Sequence, residues 1–248
     1  MVALRDLSTW CDLLLDPQRF RDYCPNGVQV EAAPTIRRLA SAATASLTSC
    51  QAAVDAGADG LIVHHGILWG GDVRIVGMLA GRVRTLLAGG CSLLAYHLPL
   101  DAHPVHGNSA VALSLIGASN LGSFGERELG RWGELPEGCS ADALAALLER
   151  GFAHGVIHCP AAGRAIRRIG VVTGAGQGYL AAAAQAGCDA LITGETAEQS
   201  WHEARELGCH LFACGHHATE RHAVHRLAAM ASRELGIEHV VLAEDNPL

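Results

Sequence analysis

The stretch "IRRLASAATASLTSCQAAVDAGADGLIVHH", residues 36–65, aligns without a gap to "IRRIGVVTGAGQGYLAAAAQAGCDALITGE", residues 166–195. Identities include Ile36/Ile166, Arg37/Arg167, Arg38/Arg168, Gly57/Gly187, Asp59/Asp189, Leu61/Leu191 and Ile62/Ile192. Each copy passes from an apolar run through a small-residue turn, an Ala-rich segment and an Ala-Gly-x-Asp turn into a second apolar run. That order predicts strand, helix, strand. A repeat of this kind constrains the architecture more than any single motif.

The Ala-rich segments 46–56 and 177–186 are the expected helices, with Gly57 and Gly187 just past their ends, where a left-handed conformation costs glycine little. The runs 60–63 and 190–193 are short and uniformly apolar, which suits strands covered on both faces. Such crossovers favour parallel strands with right-handed connections. Each copy then continues alike. A helix in "VRIVGMLAGRVRTLLAGG" (73–90) leads to the strand "CSLLAYH" (91–97), and a helix in "TAEQSWHEARELG" (196–208) leads to "CHLFACGHH" (209–217). One inserted residue brings His97 level with His216. The fold class is therefore α/β with two related lobes. The first, 1–121, holds His64, His65 and Asp101; the second, 166–248, holds His216 and Glu220. The connecting segment 122–165 contains Ser140, a suitable cap for a helix at 141–150.

The 248 residues are 50% apolar and carry 18 basic residues, all arginine, against 25 acidic ones, for a net charge of −7. This argues against a broad basic surface for nucleic acid and favours a small-molecule partner. The nine cysteines are scattered and never spaced as CxxC, so a disulfide framework is a poor reading. Asp6, Asp12 and Asp16 turn the N-terminal apolar positions into a helix stripe and not a signal peptide. No run approaches the ~20 apolar residues of a membrane span. The expected compartment is the cytoplasm.

Ligands of open α/β sheets collect beyond the carboxyl ends of the strands. His64 and His65 end one strand, and His97 ends a neighbour, with Asp101 following in "LPLDAHP". Glu195 ends the equivalent strand of the second copy, and His216, His217 and Glu220 follow the last one. His216 and Glu220 are four apart, on one side of a helix. They could share a divalent cation, or Glu220 could pair with an arginine while His216 serves as a polar cap. His64, His65, Asp101, His216 and Glu220 together exceed the needs of one tetrahedral ion and suit two. Nitrogen and oxygen donors without thiolate fit Zn, Mn, Fe, Co or Ni. Successive strand residues point to opposite faces, so Gly66 is expected to let the chain turn and aim the adjacent histidines at different ions. "GAGQG" (174–178) reads as a tight turn and lacks the acidic partner of a dinucleotide fingerprint; an anion-binding nest is the alternative. Asn26-Gly27 reads as a turn, and His103 and His106 as surface histidines.

"DYCPNGVQVE" (22–31), "GADGLIVHHGILWGG" (57–71), "YHLPLDAHPVHGNSAVAL" (96–113), "WGEL" (132–135), "CDALITGE" (188–195) and "GHHATER" (215–221) span almost the whole chain. In these stretches the chain resembles the dinuclear metal-centre proteins called GTP cyclohydrolase I type 2 homologs, or Ngg-one-interacting-factor-three-like proteins. The resemblance implies a bimetal site of His64, His65, Asp101, His216 and Glu220. It also implies two α/β lobes facing across a cleft and a toroidal homohexamer. Some relatives carry an extra domain between the lobes, for which 122–165 is too short.

Metal-assisted hydrolysis of a small phosphorylated or nucleotide-like compound is the leading expectation. His97 is the candidate catalytic residue. It would orient Asp101 or relay a proton, because imidazole titrates near neutrality. The alternative is a non-catalytic, metal-dependent ligand-binding or adaptor protein, since no general acid is evident outside the ligands. A nucleic-acid-binding ring is disfavoured by the charge.

Overall fold

The computed structural model describes residues 1–71, 73–163 and 165–248. By contact the chain forms two compact units, residues 1–100 with 223–245, and residues 101–222 with 246–248.

The first unit is built on a five-stranded sheet. Its order is Glu238–Val241, Arg38–Thr44, Gly60–His65, Ser92–Ala95 and Gly27–Val30. The first four strands are parallel, and Gly27–Val30 closes the edge antiparallel to Ser92–Ala95. Leu39, Leu61, Ile62, Val63, Leu93 and Leu94 have no exposed surface. Consecutive buried residues such as 61–63 require cover on both faces, as the unbroken apolar runs implied. Each such side chain contributes about 1.5–3 kcal/mol on burial. The helix Leu47–Asp55 starts at Ser46, whose hydroxyl accepts from Ser49 N while the Ser49 hydroxyl accepts from Ser46 N. This reciprocal cap satisfies two otherwise orphaned donors. The helix Leu4–Leu15 buries Leu4, Leu7, Cys11 and Leu15, the stripe expected from its spacing.

The second unit has a six-stranded sheet in the order Gly122–Phe124, Gly130–Cys139, Ile166–Val171, Ala190–Thr193, His210–Ala213 and Ile157–Cys159. Its three central strands are parallel, and antiparallel strands flank them. Much of the segment expected to connect the lobes is thus sheet: Gly130–Cys139 pairs directly with Ile166–Val171. The helix Ala141–Phe152 begins at Ser140, whose side chain accepts from Ala143 N, and it buries Leu144, Leu148 and Phe152. The helix His216–Leu235 begins in this unit and continues in the first from residue 223.

The repeat is kept in register. Leu39 pairs with Gly60, Ala40 with Leu61 and Ser41 with Ile62; Ile169 pairs with Ala190, Gly170 with Leu191 and Val171 with Ile192, the equivalent positions of the second copy. The repeated Arg-Arg and Asp form a clamp between these strands. Asp59 Oδ2 accepts from the backbone N–H groups of Arg37 and Arg38 at 2.8 and 3.1 Å. Asp189 Oδ2 accepts from those of Arg167 and Arg168 at 3.0 and 2.9 Å. Gly57 and Gly187 take φ of 66° and 77°, the left-handed turn that lets each chain leave its helix. On the next strand, Val63 pairs with Ala95 and Thr193 with Ala213, so His97 lies level with Gly215, one position short of His216.

Because each aspartate serves two backbone donors, Asp59→Ala and Asp189→Ala should each lower unfolding stability by about 1–3 kcal/mol. Denaturant titration of the two variants checks this; losses below a few tenths of a kcal/mol would show the clamp to be dispensable.

Candidate metal centre

In the first unit three imidazoles meet at the carboxyl ends of parallel strands. His64 and His65 end Gly60–His65, and His97 follows Ser92–Ala95. Ring centroids lie 4.5 Å apart for His64–His65, 5.1 Å for His64–His97 and 5.8 Å for His65–His97. One ligand atom from each lies within 4.8 Å of those of the others.

Each ring is held at Nδ1. The Tyr96 carbonyl lies 3.0 Å from His64 Nδ1; a carbonyl only accepts, so Nδ1 carries the proton and Nε2 the lone pair of the neutral ring. His65 Nδ1 meets Thr44 Oγ1 at 3.0 Å. His97 Nδ1 lies 3.0 Å from Asp22 Oδ1. Burial of Asp22 opposes its charge, but hydrogen bonds from His97 and the Cys24 and Leu98 backbone outweigh it and lower its pKa to about 2. A carboxylate behind an imidazole fixes the tautomer and raises ligand basicity. Asn26 locks this support in place, accepting from His97 N at 2.8 Å and donating to Asp22 Oδ2 at 3.1 Å.

Gly66 acts differently from the sequence expectation. It does not adopt a positive φ. A Cβ there would instead collide with the Gln29 side-chain amide. That amide accepts from Ile67 N at 2.8 Å and Leu68 N at 3.3 Å and donates to the Pro25 carbonyl at 2.8 Å, tying down the loop behind the histidines. Close approach, not turning freedom, is why glycine stands here.

The second unit carries a histidine and carboxylates of its own at its strand ends. His216 opens the helix His216–Leu235, and its Nε2 lies 3.0 Å from Glu220 Oε2, one turn on. Its Nδ1 lies 2.6 Å from Glu195 Oε1. Glu220 is buried, and glycine again lets backbone approach: a Cβ on Gly174 would overlap the Glu220 carboxylate, and one on Gly194 would come 2.7 Å from His216 Cα. The Gly174 carbonyl accepts from Gly194 N and Glu195 N at 2.9 and 3.0 Å, which sets Glu195 behind His216. "GAGQG" therefore brings backbone close beside the His216–Glu220 pair through its first glycine. Asp101 accepts from Asn108 Nδ2 at 2.8 Å and lies 3.5 Å from Thr173 Oγ1.

The His216–Glu220 hydrogen bond, opposed by burial and reinforced by the Glu220 and Glu195 charges, raises the His216 pKa to about 9. The surroundings thus favour positive charge at His216 Nε2, which a divalent cation can supply in place of the proton. Imidazole nitrogens with carboxylates are a donor set that fits such an ion. His103 Nδ1 instead accepts from the Val105 and His106 backbone at 3.2 and 2.9 Å, closing its own loop. Asp22, Thr44 and Gln29 were missed in the sequence. Asp22 lies in "DYCPNG", but no spacing links it to His97.

The features define an α/β protein with histidines and carboxylates grouped at strand ends and suited to divalent metal. The chain belongs to the Duf34/NIF3 (NGG1p interacting factor 3) family, whose model matches residues 2–247. A Pseudomonas aeruginosa relative named GTP cyclohydrolase 1 type 2 homolog is 42% identical, with 99% of each chain covered. The solved structure of protein ybgI, titled as of unknown function, is 37% identical with TM-score 0.95 over 100% of both chains. TTHA1606 from Thermus thermophilus is 30% identical with TM-score 0.92, again over 100% of both. Among the described residues, no helix is long and apolar enough to cross a membrane.

The raised His216 pKa has a thermodynamic sign. Its contribution to the metal-free fold is complete below the ordinary histidine value of about 6.5 and is lost as pH rises through about 9. With chelator present, the Tm advantage of wild type over Glu220→Gln should shrink between these pH values. A gap that stays constant would contradict the pairing.

Proposed function

We propose that the chain is a metal-dependent hydrolase of a small phosphorylated or nucleotide-like compound. Two divalent cations, of Zn, Mn, Fe, Co or Ni, would be held by His64, His65, Asp101, His216 and Glu220. The observation that carries this reading is the treatment of Nδ1 in the three ligand histidines: Tyr96 O holds that of His64, Thr44 Oγ1 that of His65 and Glu195 that of His216. An imidazole held at Nδ1 keeps Nε2 for a ligand, as metal-ligating histidines do. When bound, two such ions supply Lewis acidity and lower the pKa of water.

The chain's own residues supply the proton path. Asp22 keeps the His97 proton on Nδ1, so Nε2 can accept a proton from the attacking group and return it to the leaving group. The buried Asp22–His97 pair does this from a fixed position. Glu195 orients His216 and keeps its ring aimed at Glu220. The net charge of −7 favours a small ligand over nucleic acid. The reading includes assembly as a homohexamer and a reducing cytoplasm, in which the nine cysteines, all unpaired thiols, stay reduced.

Glu220→Ala should lose bound ions on gel filtration, whereas His97→Ala should keep them and lose roughly 10²–10⁴-fold in kcat. Elemental analysis after Mn, Zn or Fe loading, beside a metabolite screen, reads both. If His97→Ala releases more metal than Glu220→Ala, His97 is itself a ligand. If no compound turns over but one is retained in a metal-dependent way, the chain is a metal-dependent binding protein.

A further inference from the structure

Two aromatic side chains stand beside the histidine cluster. Trp69 meets His97 edge-on, with centroids 5.2 Å apart and planes at 83°, and lies 6.0 Å from the His65 ring. Tyr23 meets His97 at 5.2 Å and 70°, and Trp69 at 5.7 Å. The two rings form one wall against the cluster. They come from "DYCPNG" and "GILWGG", stretches whose aromatic residues the proposed metal site leaves without a role.

The wall is fixed yet open. Trp69 Nε1 donates to the Gly66 carbonyl at 3.0 Å, and Gly70 N donates to the Tyr23 carbonyl at 2.7 Å, tying the two loops together. Even so, Trp69 is 40% and Tyr23 59% exposed. Rings present only to shield His97 would be covered; these keep large apolar areas in water. A pinned flat ring loses little further entropy on contact with a ligand, and its preferred partner is another flat ring. Base–aromatic stacking is also tolerant of ring identity.

We propose that Tyr23 and Trp69 are the stacking surface for a planar heteroaromatic ring of the substrate. This rests on the reading of the neighbouring histidines as a metal site and assigns ring recognition to the wall beside them. The polar edge of the stacked ring, or the group attached to it, then faces the His64, His65 and His97 cluster.

The test is calorimetric titration of Mn-loaded protein with guanosine 5′-monophosphate, cytidine 5′-monophosphate and ribose 5-phosphate, which shares their phosphosugar and lacks a ring base. Wild type should bind both nucleotides at least about tenfold more tightly than ribose 5-phosphate, near the lower end of base–aromatic stacking. Trp69→Phe should keep most of the preference. Trp69→Leu and Tyr23→Leu, which retain apolar bulk without a π face, should abolish or sharply reduce it while metal content and ribose 5-phosphate binding persist. Equal affinities in wild type, or a preference that survives both leucine variants, overturns the proposal. Tm is read for each variant; should one leucine variant fail to fold, the other decides. Wild type that retains the ring preference but holds no metal would defeat the metal reading and leave the wall standing.

Discussion

Parallel strands in matched register all end on the same side of their sheet, and the polar chemistry of each unit follows from that constraint. In the first unit the strands Arg38–Thr44, Gly60–His65 and Ser92–Ala95 deliver Thr44, His65 and, two residues on, His97 to one edge. In the second, Ile166–Val171, Ala190–Thr193 and His210–Ala213 deliver Thr173, Glu195 and His216 in the same way. The Asp59 and Asp189 clamps at the opposite ends hold the strand pairs in register. A one-residue slip would send every side chain to the other face and disperse the histidines.

At those edges, support for charge is built into the backbone and its neighbours. The buried Asp22 carboxylate stays ionised because His97, Cys24 and Leu98 all donate to it. On the other unit His216 is drawn toward its charged form between Glu220 and Glu195. One unit thus presents imidazoles with a carboxylate behind His97, and the other an imidazole held between two carboxylates. Gly66, Gly174 and Gly194 stand where a side chain would displace one of these groups or its support.

Much of this was legible in the sequence because it is local. The gapless repeat and its continuation, which needs one inserted residue, pointed to both three-strand parallel cores, and the end-of-strand rule singled out His64, His65, His97, Asp101, Glu195, His216 and Glu220 as candidates. What escaped depends on contacts distant in the chain. Asp22 reaches His97 across 75 residues, and Gln29 reaches the Ile67 N–H across 38. Glu238–Val241 pairs with Arg38–Thr44 in the first unit despite its place at the far end of the sequence. The strand Gly130–Cys139, with its Gly, Trp and Pro, shows no clean alternation, so its membership of the second sheet could not be read from periodicity. Gly66 was recognised as necessary for the wrong reason, since close approach of a distant amide leaves no mark in the sequence around it.

The central claim is that the histidines and carboxylates of this chain serve divalent metal. The most direct measurement is the metal content of wild-type protein, loaded with Mn or Zn and freed of excess ion by gel filtration, determined by mass spectrometry against protein concentration. The account predicts close to two ions per chain; a ratio that stays at or below one after saturating loading would contradict it.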